Sequence, residues 1–144
     1  MLRTLQRWFG RGLPAGSTGD QGERLAADWL SRERRFAIVA RNWRNPGDRR
    51  EELDLVCRDG EVLVFVEVKA RAADALVPGY HAITRRKKQV LQRAARAYLR
   101  SLRERPRTFR FDVVEIGIAP RGTATPPRIL HFENVPLFPK HFRG

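Results

Sequence analysis

Apolar residues recur at helical spacing between Ser17 and Arg35, at Leu25, Ala26, Trp29 and Leu30, and predict a first helix with Thr18 or Asp20 as its N-cap. Phe36 to Arg41 reads as a short strand, and Asn45-Pro46-Gly47-Asp48 is a turn by its chemistry. Residues 52 to 71, ELDLVCRDGEVLVFVEVKAR, supply two further strands. A second, longer helix follows from Thr84 to Arg103, apolar at Val90, Leu91, Ala94, Ala95, Tyr98 and Leu102. Strands are then expected over Phe109 to Ile118 and Ile129 to Val135. The order is helix, three strands, helix, two strands, without internal repeat, which implies an α/β fold with a sheet flanked by helices.

The pair of strands at 52–71 carries the chemistry. Asp59-Gly60 suits a two-residue hairpin turn, and that turn pairs residues whose numbers sum to 119, so that Leu53 faces Val66 and Glu52 faces Glu67. Alternation then gives one apolar face, Leu53, Leu55, Cys57, Val62, Val64, Val66 and Val68. The opposite face carries Glu52, Asp54, Phe65, Glu67, Lys69 and Arg71. Asp54 and Glu67 become diagonal neighbours with backbones roughly 7 to 8 Å apart. Two carboxylates that close repel unless a proton or cation lies between them, and hard oxygen ligands suit Mg²⁺, with Mn²⁺ as a substitute. Lys69 projects from the same face, where an ammonium can orient a water and offset charge developing on a phosphoryl group. The plainer alternative is a strand-end pair, Glu67 with Lys69 and Asp54 with Arg71, which contributes little.

Length and charge narrow the partners. The chain has 144 residues, enough for one ordinary domain: a basic N-terminal tail over 1–17, a single domain over 18–136 and a C-terminal tail over 137–144. With 29 Lys and Arg against 16 Asp and Glu the formal charge is +13, which points to a polyanion, nucleic acid first. Attraction to an anionic membrane surface, or an arginine-rich coding bias, would produce the same excess. The segment MLRTLQRWFGRGL reads either as a surface-binding amphipathic stretch or as a frayed basic tail. No run approaches the roughly 18 apolar residues of a membrane span, so no integral membrane association is expected. One cysteine, Cys57, excludes an internal disulfide and a Cys-based zinc site and fits a reducing cytoplasm.

The fuller text GDQGERLAADWL, ARNWR, EELDLV, VFVEVKAR, ITRRKKQVLQRAARAYL and RFDVV, from Gly19 to Ile116, resembles the small bacterial YraN family. Asp54 followed by Glu67-Val68-Lys69 resembles the PD-(D/E)XK signature of restriction-endonuclease-like nucleases. The resemblance implies an endonuclease-like core with a mixed sheet of about five strands, similar to archaeal Holliday junction resolvases. It also implies that Asp54, Glu67 and the main-chain carbonyl of Val68 bind Mg²⁺, that Lys69 serves the attacking water, and that Glu23 is the acidic residue of the first helix. Glu23, Ala26, Ala27 and Leu30 lie at i, i+3, i+4 and i+7, so Glu23 tops an inward-facing stripe, although a helix N-terminal acid favourable with the macrodipole explains it as well. Leu53 stands in place of the motif's proline, and Glu51 where the family usually has glycine. Asp112 reads as a partner for an arginine; His81, His131 and His141 form no ligand set.

Thr84 is a candidate cap, and Arg85-Arg86-Lys87-Lys88 follow it. Cations in a first turn oppose the helix dipole by about 0.3 to 1 kcal/mol each, so folding alone does not favour them, whereas phosphate binding does. With Arg71, these four are the expected nucleic-acid contacts; Arg93, Arg96, Arg100 and Arg103 are undecided. The expectation is a Mg²⁺-dependent DNA endonuclease acting on branched or single-stranded DNA in repair or recombination. The alternatives are a catalytically silent nucleic-acid-binding module of the same fold and a structural RNA-associated basic protein. The sequence does not fix the oligomeric state, a homodimer being among the options.

Overall fold

The computed structural model describes residues 18–72 and 83–142. The expected tail at 1–17, Ser17 included, and His81 lie outside them. Among the described residues two helices and five strands follow in the expected order: α1 (Thr18–Glu33), β1 (Ala37–Asn45), β2 (Asp48–Asp59), β3 (Val62–Ala72), α2 (Arg85–Ser101), β4 (Thr108–Ile118) and β5 (Arg128–Phe132). They form one mixed sheet in the order β1-β2-β3-β4-β5, antiparallel throughout except for the parallel pair β3–β4. A parallel pair requires a crossover, and the segment containing α2 supplies it.

Each face of the sheet is covered, so β3 is apolar on both sides. On one face Leu25, Ala26, Ala27 and Leu30 of α1 pack on Leu55, Cys57, Val64, Val66, Val114 and Ile116. On the other, Leu91, Ala94, Ala95, Tyr98 and Leu99 of α2 pack on Val56, Leu63, Phe65, Phe111 and Val113. A fully buried leucine such as Leu30 contributes about 2 kcal/mol. Phe65, expected on a polar face, is therefore core.

Gly22 fixes how closely α1 approaches. A Cβ at this position would meet the Ala70 Cβ at 2.4 Å, so only glycine lets the first turn of α1 lie on the end of β3.

Three expectations are corrected. The β2–β3 pairs sum to 121, not 119: Asp59 pairs Val62 and Leu55 pairs Val66, with Gly60-Glu61 at the turn. Gly60 takes the left-handed φ of 58°, while the Asp59 carboxylate accepts from Arg110 Nη1 at 3.0 Å, which favours keeping Asp59 in the strand. Leu53 leaves the face it was assigned and packs with Trp43, its partner on β1, and with the α2 side, beyond Leu55, the last residue of β2 that pairs with β3. Residues 137–142, the described part of the expected tail, are packed: Leu137 is buried, its carbonyl accepts from Gln92 Nε2 at 2.6 Å, and Phe138 and Phe142 join Phe65 and Phe109 in an aromatic cluster.

Candidate metal and nucleic-acid site

The site forms where the β2–β3 ladder opens. Leu55 and Val66 are its last paired residues, so Asp54 and Glu67 are the next residue on each strand. Here a side chain replaces the backbone: the Val68 N–H donates to Asp54 Oδ2 at 2.8 Å. That bond ties Asp54 to β3, with its carboxyl near enough to Glu67 for the charge of one to act on the other. Two carboxylates that close repel unless a proton or a cation lies between them. Accordingly burial, and next the charge of Glu67, pushes the Asp54 carboxyl well above the usual range, against the opposing pull of the Val68 N–H.

Glu67 is 3% exposed. Its Oε1 takes two ammonium groups, Lys69 Nζ at 3.3 Å and Lys87 Nζ at 3.4 Å, while its Oε2 is buried with no hydrogen-bond partner. Lys87 reaches it from the first turn of α2, which is capped as expected by Thr84 Oγ1 accepting from the Lys87 N–H at 3.1 Å. Thus one of the four basic residues assigned to phosphate binding is also a neighbour of the carboxylates. Sequence spacing could not disclose this, because 20 positions and a crossover separate the two.

Glu23 joins from α1. Burial raises its carboxyl, a hydrogen bond from the Asn42 side chain opposes this, and the charges of Glu52, Asp20 and Glu67 raise it further. Asn42 sits in the left-handed region at φ 49°, a conformation asparagine tolerates, in strand β1. Three carboxyl groups assigned from the sequence, Glu23, Asp54 and Glu67, are therefore close enough to perturb one another.

A cation is the natural complement of this arrangement: one carboxyl is pushed well above its usual range by burial and by its neighbour's charge, and a second has a buried oxygen without a donor. Among the described residues no three acidic, His or Cys side chains close into a cage. A divalent ion would be held by Asp54 and Glu67 and complete its shell with water or a phosphate, the habit of Mg²⁺.

A cleft of about 670 Å³ adjoins Glu23, lined by Asp20, Arg41, Asn42, Trp43, Arg44, Arg49 and Glu52. Of its three arginines, Arg41 and Arg44 come from β1 and Arg49 from the start of β2. Motif and helix patterns do not single them out; the arginine density of 41–50 was the available signal. Across the site, Arg85 and Arg86 are exposed, and Lys88 and Arg71 half-buried. Two undecided residues are structural: Arg93 pairs with Glu51 at 3.2 Å, and Arg96 lies 4.9 Å from the Phe142 ring centre. Glu51 also accepts from Asn45 Nδ2 at 2.8 Å, so it ties the hairpin to α2.

A second polar cluster is built differently. Asp112 is fully buried, and both its oxygens are engaged: Oδ1 accepts from Arg110 Nε and the Asn134 N–H at 2.9 Å, and Oδ2 pairs with Arg110 Nη2 at 3.2 Å and His131 Nε2 at 2.9 Å. Burial pushes this carboxyl up, but His131, Arg110 and Asn134 outweigh it and hold it below the usual range. Asp112 is an arginine partner, as the sequence suggested. Cys57 is buried, its thiol pushed up to about 12 by burial and then by Asp112, so it is no nucleophile. No helix among the described residues is long and apolar enough to cross a membrane.

Comparison with known proteins places these features in a family. Residues 22–116 match the model of "Uncharacterised protein family UPF0102". A UPF0102 protein of Nitratidesulfovibrio vulgaris is 46% identical over 98 residues, 68% of this chain and 70% of that one. One from Beutenbergia cavernae is 43% identical over 117 residues, 81% of this chain and 93% of its own, and one from Mycobacterium tuberculosis is 35% identical over 119 residues, 81% and 90%.

Proposed function

The chain belongs to the UPF0102, or YraN, family, and from the geometry of its carboxylates we propose that it is a Mg²⁺-dependent DNA endonuclease hydrolysing phosphodiester bonds in branched or single-stranded DNA. The observation that carries this is the Asp54–Glu67 pair, two carboxyl groups pressed together at the open end of a strand ladder with a lysine beside them. Folding does not reward such a pair; a bound cation does.

In this reading Asp54 and Glu67, with the main-chain carbonyl of Val68, hold the cation. When bound, the ion supplies Lewis-acid polarisation of the scissile phosphate and acidifies a water. Lys69 orients that water and offsets the charge that builds on the phosphoryl oxygens. Glu23, its carboxyl raised by burial, accepts or returns a proton at the cleft side of the site. Arg71, Arg85, Arg86, Lys87 and Lys88 grip phosphates on one side, and Arg41, Arg44 and Arg49 extend the track on the other. No element among the described residues presents a base-reading helix, so in this reading backbone and shape govern the choice of DNA.

A catalytically silent DNA-binding module is the second reading, favoured by one observation: Lys69 and Lys87 both pair with Glu67, which gives that carboxylate a complement within the chain. Wild type and Glu67→Ala are to be incubated with branched, single-stranded and duplex DNA in Mg²⁺, Mn²⁺ or EDTA. Cutting that needs the metal and disappears in the variant while binding survives supports the enzyme. Equal binding with no cutting of any substrate supports the module.

A further inference from the structure

Glu115 is a carboxyl group that neither the motif nor the proposed mechanism employs. It lies in β4, is 0% exposed, and neither of its oxygens has a hydrogen-bond partner. Buried side chains of this kind are costly unless a charge or a donor compensates them, so an unmatched one asks for a partner in some working state. Its placement names that partner. In the parallel β3–β4 ladder Glu115 pairs with Lys69, and laterally paired residues point to the same face of a sheet. The two side chains therefore stand side by side. Glu67 lies two residues back along β3, roughly 6 to 7 Å away, on that same face.

The Lys69 stem is rooted between two acids and can serve only one at a time. As the structure stands, its ammonium is on Glu67 Oε1, an atom it shares with Lys87. A divalent ion at Glu67 would repel both ammonium groups. Lys87 is half-exposed, on the first turn of α2, and can withdraw to water, whereas Lys69 is rooted within the sheet and more enclosed.

We propose that Glu115 is a positioning residue that receives the Lys69 ammonium when a divalent cation occupies Glu67, so that lysine and metal share the site without competing for one carboxylate. This rests on the metal reading of Asp54 and Glu67. Glu115 is not itself a ligand in this scheme: it stands level with Lys69, past the carboxylate pair, where it keeps the ammonium beside the scissile group.

The test is Mn²⁺ binding alone, without DNA, measured calorimetrically on the full chain in wild type, Glu115→Gln, Lys69→Met and the double variant. Losing Glu115 leaves Lys69 on Glu67, so Glu115→Gln should weaken Mn²⁺ by about 10-fold, the low end of what outer partners of metal ligands cost. In the Lys69→Met background the same change should alter affinity by less than about twofold, since no ammonium remains to be parked. Undiminished affinity in Glu115→Gln overturns the proposal, and so does an equal loss in both backgrounds, which would mean that Glu115 acts on the ion directly. Wild type that does not bind Mn²⁺ at all removes the metal reading itself, an outcome distinct from both. Should Glu115→Gln fail to fold, NMR of the wild-type chain decides: on adding Mg²⁺, contacts of the Lys69 terminal methylene should move from the Glu67 to the Glu115 side chain, and contacts that stay on Glu67 refute the exchange.

Discussion

Asp54→Asn should stabilise the fold at alkaline pH and leave it nearly unchanged in acid. Burial, and then Glu67, raises the Asp54 carboxyl from 3.8 to about 8, whereas the unfolded chain keeps the ordinary value. Between those values the folded chain binds a proton that the unfolded chain has released, so stability falls as pH rises from about 4 to about 8. The difference between 8 and 3.8, about 4 units at ~1.4 kcal/mol each, sets a ceiling of about 6 kcal/mol. The opening of the site to water and the interdependence of two neighbouring acids bring the expected gain for the variant down to about 2 kcal/mol. In a chain of this size that is a rise of about 4 to 8 °C in Tm. Circular dichroism melts of both proteins at pH 4.5 and pH 9, in EDTA, read it directly. A gain of the same size at both pH values, or none at pH 9, would refute the account of two crowded carboxyls. The complement is cation binding: Mg²⁺ at ten times its Kd should stabilise the wild type by about 1.4 kcal/mol and Asp54→Asn hardly at all.

Other expectations follow from separate parts of the structure. Asp112→Ala strands the Arg110 guanidinium and the Asn134 N–H in the core and should cost about 3 to 5 kcal/mol in urea unfolding at neutral pH; because this carboxyl is held low, the loss should shrink as pH falls below the usual aspartate range. Gly22→Ala forces α1 off Ala70, so a melt should show destabilisation of about 1 to 3 kcal/mol, and Mn²⁺ affinity should drop with Glu23 displaced from the site. Neutralising Arg85, Arg86, Lys87 and Lys88 together should flatten the salt dependence of DNA binding by close to one unit of log–log slope per lost phosphate contact, and neutralising Arg41, Arg44 and Arg49 should flatten it independently; an unchanged slope in either set would exclude that arm from the contact surface.

The sequence alone determined the element order and the identity of both layers, because periods of 3.6 and 2 report which residues seek burial regardless of how the elements are placed. It also marked Asp54, Glu67 and Lys69 as one group, since they sit on neighbouring strands near one hairpin and a register slip of two leaves side-chain faces unchanged. The slip did change Glu67's neighbour, from Glu52 to Asp54, and that was decided by which residue could take a positive φ and by the Asp59–Arg110 pair 51 positions away. The face reversal at Leu53, Lys87 at Glu67, the cleft arginines near Glu23 and Glu115 beside Lys69 depend on how the strands pair, on the crossover and on α1 resting on Ala70 through Gly22. Long-range contacts of that kind leave no period in the chain; they exist only once the sheet has closed around them.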